Sequence, residues 1–438
     1  MVVVSKYDIE GWGLSEMRLS PLDPWIKEKT NGIDLQTWQL AKLNETLALV
    51  RARSSFYKKL FAGMPKSISS LDELSQFPFT TPEDIRQNPL GFVCVSQDEI
   101  QRVVTLQSSG TTGEPKRIFF TADDQQLTID FFGVGMSTLV ETGERVLIFL
   151  PGETPGSVGD LLRMGLERKG AHPIPYGMVK DPLHALDVME KEGADCLVGS
   201  PTQILSLARR WNPKNKAPRT ILLSTDYVPA AIVSVLENTW GCKVFNHYGA
   251  TEMGLGGGVE CEAHRGFHLR EADMFFEIVN PETGEPIPDG EYGELVFSTL
   301  TRCGMPLLRY RMGDRSRFIV GECPCGTKLR TLEKVRGRFS GFVSVGDEIL
   351  KLPDFDEALF ALSGLLNFSV TVSGSVGAKR EALLIDAQML TDEDSTHEVE
   401  KALESVSSIK KIIRCHHNPN EVGSLLKRII MDKRGQNA

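Results

Sequence analysis

Ser108-Ser109-Gly110-Thr111-Thr112-Gly113-Glu114-Pro115-Lys116 gathers four hydroxyls, two glycines and one lysine into nine residues. Hydroxyls and backbone N–H groups, displayed where glycine permits positive φ, suit a polyphosphate, and Lys116 adds a cation. The stretch is not a Walker A loop, because Gly110 and Gly113 stand too close and no Gly-Lys-Ser/Thr follows. It reads as a phosphate-holding loop, with a solvated Ser/Gly-rich hairpin loop as the alternative. A second chemical set centres on Cys323-Pro324-Cys325-Gly326, a tight turn whose two sulfurs can converge on a metal. Cys261 and His268 bracket another loop at Arg265-Gly266. Two thiolates from one turn with a thiolate and an imidazole from the other make a closed tetrahedral set, the arrangement of structural rather than catalytic zinc. His264 is an alternative nitrogen ligand, and four reduced side chains near a hairpin are the alternative to any site.

The elements that must position these residues follow from periodicity. Val103–Leu106 and Ile118–Phe120 read as strands entering and leaving the Ser/Gly/Lys stretch. Before them the chain reads as helical, with Trp38, Leu40, Leu43, Leu47 and Val50 spaced along one apolar face, and Thr80-Thr81-Pro82 marks a helix start. From Glu144 to Gly249 apolar runs alternate with helical stretches, predicting strands near 145–150, 172–175, 196–199, 220–224 and 243–249 separated by helices. Such β-α units argue for a mostly parallel sheet covered by helices, with ligands at the carboxyl ends of the strands. Those ends are Pro151-Gly152, Gly199-Ser200, Ser224-Thr225-Asp226 and His247-Tyr248-Gly249.

Beyond Gly254 the period shortens to two, with turns at Asn280–Gly284 and Pro288–Gly290, predicting an antiparallel subdomain over about 255–335. A small α+β unit follows from about Phe339. The expected fold class is therefore α/β, with a large N-terminal domain (1–338) of mostly parallel sheet plus the antiparallel subdomain, and a small mobile C-terminal domain (339–438).

A chain of 438 residues suggests two or three domains, and 41% hydrophobic with 24% charged residues marks a folded protein. A net charge of -9 argues against a general nucleic-acid binder. No apolar run approaches ~20 residues, so no membrane partner is expected. The N-terminus turns charged too soon for a signal peptide, making the cytoplasm the default. Eight scattered cysteines fit reduced thiols better than a disulfide framework.

The Ser108–Lys116 loop, Tyr248-Gly249-Ala250-Thr251-Glu252 and Tyr310-Arg311-Met312-Gly313-Asp314, in this order, resemble the adenylate-forming superfamily of acyl-CoA ligases, luciferases and peptide-synthetase adenylation domains. The Cys-x-Cys-Gly element and the length look most like its phenylacetate–CoA ligase branch, where a cysteine–histidine loop faces such a turn. The resemblance implies that Tyr248 offers a flat face to adenine, with Asn246, His247, Gly249 and Ala250 beside it and Ser224, Thr225 and Asp226 lining the base. It implies that Thr251 faces the α-phosphate, Glu252 holds Mg²⁺, Asp314 accepts the ribose hydroxyls and Arg338 nears ribose or phosphates.

Two positions depart from the family pattern. Phe339-Ser340-Gly341 stands where the hinge aspartate is expected, and Leu425 where the catalytic lysine is expected, leaving Lys427 as its displaced candidate. The expected activity is ATP-dependent conversion of a small carboxylic acid to an acyl-adenylate, then a thioester with coenzyme A. Lys116, Thr251, Glu252 and Lys427 are the candidate catalytic residues, with ATP, Mg²⁺, coenzyme A and structural Zn²⁺ as cofactors. The alternatives are a nucleotide-binding protein with impaired catalysis and an adenylating enzyme that delivers to an amine or carrier protein. A homodimer is left open.

Overall fold

The computed structural model describes residues 20–106, 114–374, 381–423 and 428–434. Ser108, Ser109, Gly110, Thr111, Thr112, Gly113 and Lys427 lie outside the described residues. The chain divides into two compact units, one of Met1–Thr138, Thr154–Lys169 and His247–Val335, the other of Leu139–Glu153, Gly170–Asn246 and Arg336–Ala438. Among the described residues no helix is long and apolar enough to cross a membrane.

In the first unit the helix Leu35–Arg53 starts where the Asp34 carboxylate accepts from Thr37 N (3.1 Å) and buries Leu43, Leu47 and Val50 at helical spacing. The expected start at Thr81 is a reciprocal cap, with Asp84 accepting from Thr81 N and Thr81 Oγ1 accepting from Asp84 N. Strands Ile100–Leu106 and Lys116–Thr121 form an antiparallel pair that sets Leu106 opposite Lys116. A three-stranded antiparallel sheet runs Met274–Val279, Gly293–Thr299, Tyr310–Ser316, with Phe276 opposite Phe297 and Phe297 opposite Tyr310. Its turn at Asn280 forms because the Asn280 side-chain oxygen accepts from Glu282 N and Thr283 N. Phe276, Leu295, Phe297, Leu308 and Tyr310 share one core with Leu43 and Leu47 of the helix Leu35–Arg53 and with Phe61.

The second unit contains the parallel sheet, in the order His172–Pro175, Arg145–Ile148, Cys196–Gly199, Thr220–Leu223 and the start of Lys243–Tyr248. Its central strands are buried at every position, which is why they read as unbroken apolar runs. Helix Pro182–Glu192 is capped by Asp181, whose carboxylate accepts from Leu183 N and His184 N. The C-terminal region adds helix Leu352–Leu359 and a sheet in the order Lys411–His417, Ala382–Met389, Leu365–Ser373, Ile430–Asp432.

Residues 336–438 share a unit with 139–153 and 170–246, because one apolar core includes Leu205, Ile221 and Leu236 as well as Phe355, Phe360 and Val370.

Candidate functional site

Three polar side chains from distant stretches meet in the first unit. Lys116 opens the strand Lys116–Thr121, Glu252 sits in the 3-10 turn Thr251–Met253, and Tyr310 opens the strand Tyr310–Ser316. Lys116 Nζ forms an ion pair with Glu252 Oε1 and donates to Tyr310 Oη (3.3 Å), which in turn donates to Glu252 Oε1 (3.2 Å). Glu252 is buried, and these donors offset part of the cost of burying its carboxylate. The turn is fixed by Met253 N and Leu255 N donating to Ala250 O (3.0 and 2.8 Å). Gly249 is required there, since a Cβ would lie 2.1 Å from Leu255 O. Tyr310 has no role legible in the sequence, although it opens the Tyr310–Asp314 stretch.

A second pair lies in the same unit. Tyr248 Oη donates to Asp314 Oδ2 (2.7 Å), both residues are buried, and the Tyr248 ring leans on Phe267 with centroids 5.6 Å apart. The two residues expected at adenine and ribose are thus tied together. His247, expected beside them, has its ring against Phe132 (5.8 Å, edge-on) and Phe131 (6.4 Å). Burial there lowers its pKa to about 4, so the imidazole is neutral. Ala250 and Thr251 lead into the Glu252 turn.

Ser224, Thr225, Asp226, Asn246 and Arg338 belong to the second unit. Ser224 N donates to Gly199 O (3.1 Å), and Asn246 pairs with Leu223 across parallel strands. Thr225 is held at φ 78°, a left-handed conformation uncommon for a β-branched residue and a mark of strain. Asp226 Oδ1 accepts from Tyr227 N (2.8 Å), while Oδ2 faces Arg428 Nε at 3.3 Å. Arg428 Nη1 also donates to the buried Asp356 Oδ1 (2.7 Å). Arg338 is exposed ahead of the strand Phe342–Val345, its carbonyl accepting from Gly341 N (3.0 Å).

The cysteine–histidine set converges. Ligand atoms of Cys261, His268, Cys323 and Cys325 all lie within 4.8 Å of one another, and all four residues are buried. Cys261 Sγ is 3.6 Å from Cys323 Sγ, and Cys325 Sγ is 3.4 Å from His268 Nε2. Around a tetrahedral ion with Zn–S near 2.3 Å and Zn–N near 2.05 Å, these separations come to about 3.8 and 3.6 Å. Strand pairing of His268 with Thr331 and the Arg265 guanidinium, which donates to Glu322 O (2.9 Å) and Val320 O (3.2 Å), bring the two loops together. His264 is outside the set, its Nδ1 3.7 Å from Glu260 Oε2, and His268 is the imidazole that converges with the three sulfurs. The Cys261–Cys323 hydrogen bond holds the Cys261 thiol well above, and the Cys323 thiol well below, the ordinary thiol range.

The model of the AMP-binding enzyme family matches residues 66–301. Phenylacetate-coenzyme A ligase of Thermus thermophilus is 28% identical over 421 residues, covering 92% of this chain and 90% of that protein. The phenylacetate-coenzyme A ligase of Aromatoleum evansii is 30% identical over 338 residues, covering 73% and 74%. A 2-hydroxyisobutyryl-CoA ligase solved in complex with R3-HIB-AMP matches with a TM-score of 0.78 at 19% identity, covering 98% of this chain and 95% of that one, a likeness of fold. With Lys116 facing Glu252 and Tyr248 tied to Asp314 inside a chain matched at this length, the protein belongs to the AMP-binding enzyme family, in its phenylacetate–CoA ligase-like branch.

Proposed function

We propose that the protein joins a carboxylic acid to coenzyme A in two steps driven by ATP. A carboxylate oxygen attacks the α-phosphorus, the acyl–phosphate bond forms, the α–β phosphoanhydride breaks, and pyrophosphate leaves with the electron pair. The coenzyme A sulfur then attacks the acyl carbon, AMP leaves, and the thiol proton passes to solvent. The observation that carries this reading is the Lys116–Glu252–Tyr310 cluster, with Glu252 and Tyr310 buried and Lys116 half-buried, standing in the same unit as the Tyr248–Asp314 pair. Transfer of this kind needs positioning and charge neutralisation more than covalent help. Lys116 supplies a cation, the Thr251 hydroxyl a donor at the α-phosphate, and Tyr248 with Asp314 the seat of the nucleoside.

Glu252 is an oxygen donor of the kind Mg²⁺ takes, and Mg²⁺ there would add charge neutralisation at the triphosphate. Lys427 is assigned to adenylation by its closeness to the family's lysine position. Residues 339–438 are assigned as the region that moves between half-reactions, and the cytoplasm as the site of action. The buried three-sulfur, one-nitrogen set fits a structural zinc, held by Cys261, His268, Cys323 and Cys325.

The test is pyrophosphate exchange over a panel of aryl and alkyl carboxylates, followed by discharge of the adenylate with coenzyme A or an amine. Exchange with at least one acid and discharge by coenzyme A is the expected result. Exchange with none would leave only nucleotide binding, and discharge by the amine alone would reassign the acceptor.

A further inference from the structure

We propose that Arg302 is a positioning residue for adenylate formation, holding the two backbones that carry Lys116 and Glu252 at a fixed separation. The inference rests on the function proposed above and adds a residue that its motifs do not contain. Arg302 is buried, at 6% exposure. Its Nη1 donates to the Glu252 carbonyl (2.7 Å) and its Nη2 to the Phe119 carbonyl (3.2 Å). The guanidinium carbon lies 4.4 Å from the Phe120 ring centroid. Phe119 and Phe120 belong to the strand that begins at Lys116, and Glu252 to the turn that follows Tyr248. One planar cation therefore bonds the Glu252 backbone and the strand that begins at Lys116.

The loop bearing Arg302 is itself tied to that strand. Asp124 accepts from Cys303 N (3.0 Å) and Gly304 N (3.1 Å), and also from Thr121 N (3.0 Å) at the strand's last residue. Thr301 Oγ1 donates to Asp273 Oδ1 (2.7 Å), fixing the other side of the loop. Gly304 admits this approach, since a Cβ there would come within 2.4 Å of Asp124 Oδ2. The arrangement is a closed circuit from strand to Asp124 to loop to Arg302, and from there back to the strand and across to the Glu252 turn.

A purely structural role does not account for this choice of side chain. Burying a guanidinium costs more than burying an apolar group of similar volume, and Nε of Arg302 donates to nothing among the described residues. Among those residues it has no carboxylate within ion-pair distance; its side-chain acceptors are the two carbonyls. Lysine, a point cation on a flexible stem, does not reproduce a planar fork that bonds two carbonyls while stacked on a ring. Misplacement of reacting groups by about 1 Å can cost roughly a hundredfold in rate. Adenylation uses the charges of Lys116 and Glu252 against the triphosphate, whereas thiolysis of a finished adenylate has no pyrophosphate to neutralise.

The experiment compares Arg302→Met and Arg302→Lys with the parent, full length, in three measurements. Adenylate formation by pyrophosphate exchange should fall roughly 10- to 100-fold in kcat. Thiolysis of a synthetic acyl-adenylate by coenzyme A in the same preparations should fall several-fold less than adenylate formation, since only the Thr251 contact at the α-phosphate is shared by both steps. Hydrogen exchange of the amides at 251–254 should accelerate relative to the helix Leu35–Arg53. Equal loss in both half-reactions would reduce Arg302 to a folding role, and unchanged adenylation would overturn the proposal. Arg302→Lys keeps the charge and carries the test if the methionine variant folds poorly. If the parent makes no adenylate with any acid, the proposed function fails and exchange at 251–254 decides alone: unchanged protection overturns the clamp, and accelerated exchange supports it.

Discussion

At the scale of single residues, the motif positions that sequence made legible are those whose chemistry is written in their type. Lys116, Glu252, Tyr248 and Asp314 stand in short stretches dense with glycine and polar groups, and the structure brings them into two pairs, Lys116 with Glu252 and Tyr248 with Asp314. Tyr310 and Arg302 were not legible, because their meaning lies in partners distant in sequence, Lys116 for the first and the Phe119 and Glu252 carbonyls for the second. Asp314 gives a direct test. Removing a charge-assisted hydrogen-bond acceptor costs about 1.5–3 kcal/mol, roughly tenfold or more in affinity. Calorimetry should therefore show Asp314→Ala binding ATP at least about tenfold more weakly, and parental affinity would remove the ribose assignment. His247 gives a second test, in stability. Its folded pKa of about 4 lies below the ordinary histidine value because burial disfavours the imidazolium. The stability tied to its neutral form is present above about pH 6.5 and is lost as pH falls toward 4, since the unfolded chain takes up the proton first. His247→Phe should flatten the loss of urea stability between pH 7 and 4.5 relative to the parent, and parallel profiles would clear His247 of that role.

At the scale of elements, the strands of the parallel sheet were readable because burial on both faces writes them as unbroken apolar runs, Cys196–Gly199 and Thr220–Leu223 among them. The antiparallel strands were readable from turn chemistry, as at Asn280, whose side chain caps its own turn. Less legible was which loops those strands would join. Cys261 and Cys323 are far apart in sequence, and their contact depends on the pairing of His268 with Thr331 and on Arg265 reaching the Glu322 and Val320 carbonyls. A metal at this set would pin two loops of the antiparallel subdomain and leave the Lys116 cluster untouched. Metal analysis without chelator should find about one zinc per chain, and chelation should lower the melting temperature before it weakens ATP binding. Cys323→Ser should reproduce the chelated state. Less than about half an equivalent of zinc, with no gain on adding the ion, would dismiss the site.

At the scale of the whole chain, alternating and antiparallel patterns gave the fold class, while the grouping of segments depended on packing that no local pattern states. Phe355, Phe360 and Phe368 look like the core of a separate small domain, yet they share an apolar core with Leu205 and Leu236. Arg428 is the polar counterpart of that core. Its guanidinium faces Asp226 of one segment and Asp356 of the other, and lies 5.0 Å from the Phe360 ring centroid. Burial raises the Asp356 pKa to about 7 despite Arg428, which pulls it down. For a carboxyl raised in the folded state, stability is fully present below the unfolded pKa near 4 and is lost as pH rises through about 7. Removing Arg428 leaves the ionised Asp356 buried without its cation, a change that typically costs 3–5 kcal/mol, whereas the neutral acid loses only a hydrogen bond. Arg428→Met should therefore destabilise the protein modestly near pH 5 and much more near pH 8.5, measured by urea unfolding. In the Asp356→Asn background the same substitution should cost little at either pH, since no charge is left to strand. A penalty for Arg428→Met that is the same at both pH values, or that survives in the asparagine background, would mean that Arg428 acts through Asp226 or through its contact with Phe360 and not through Asp356.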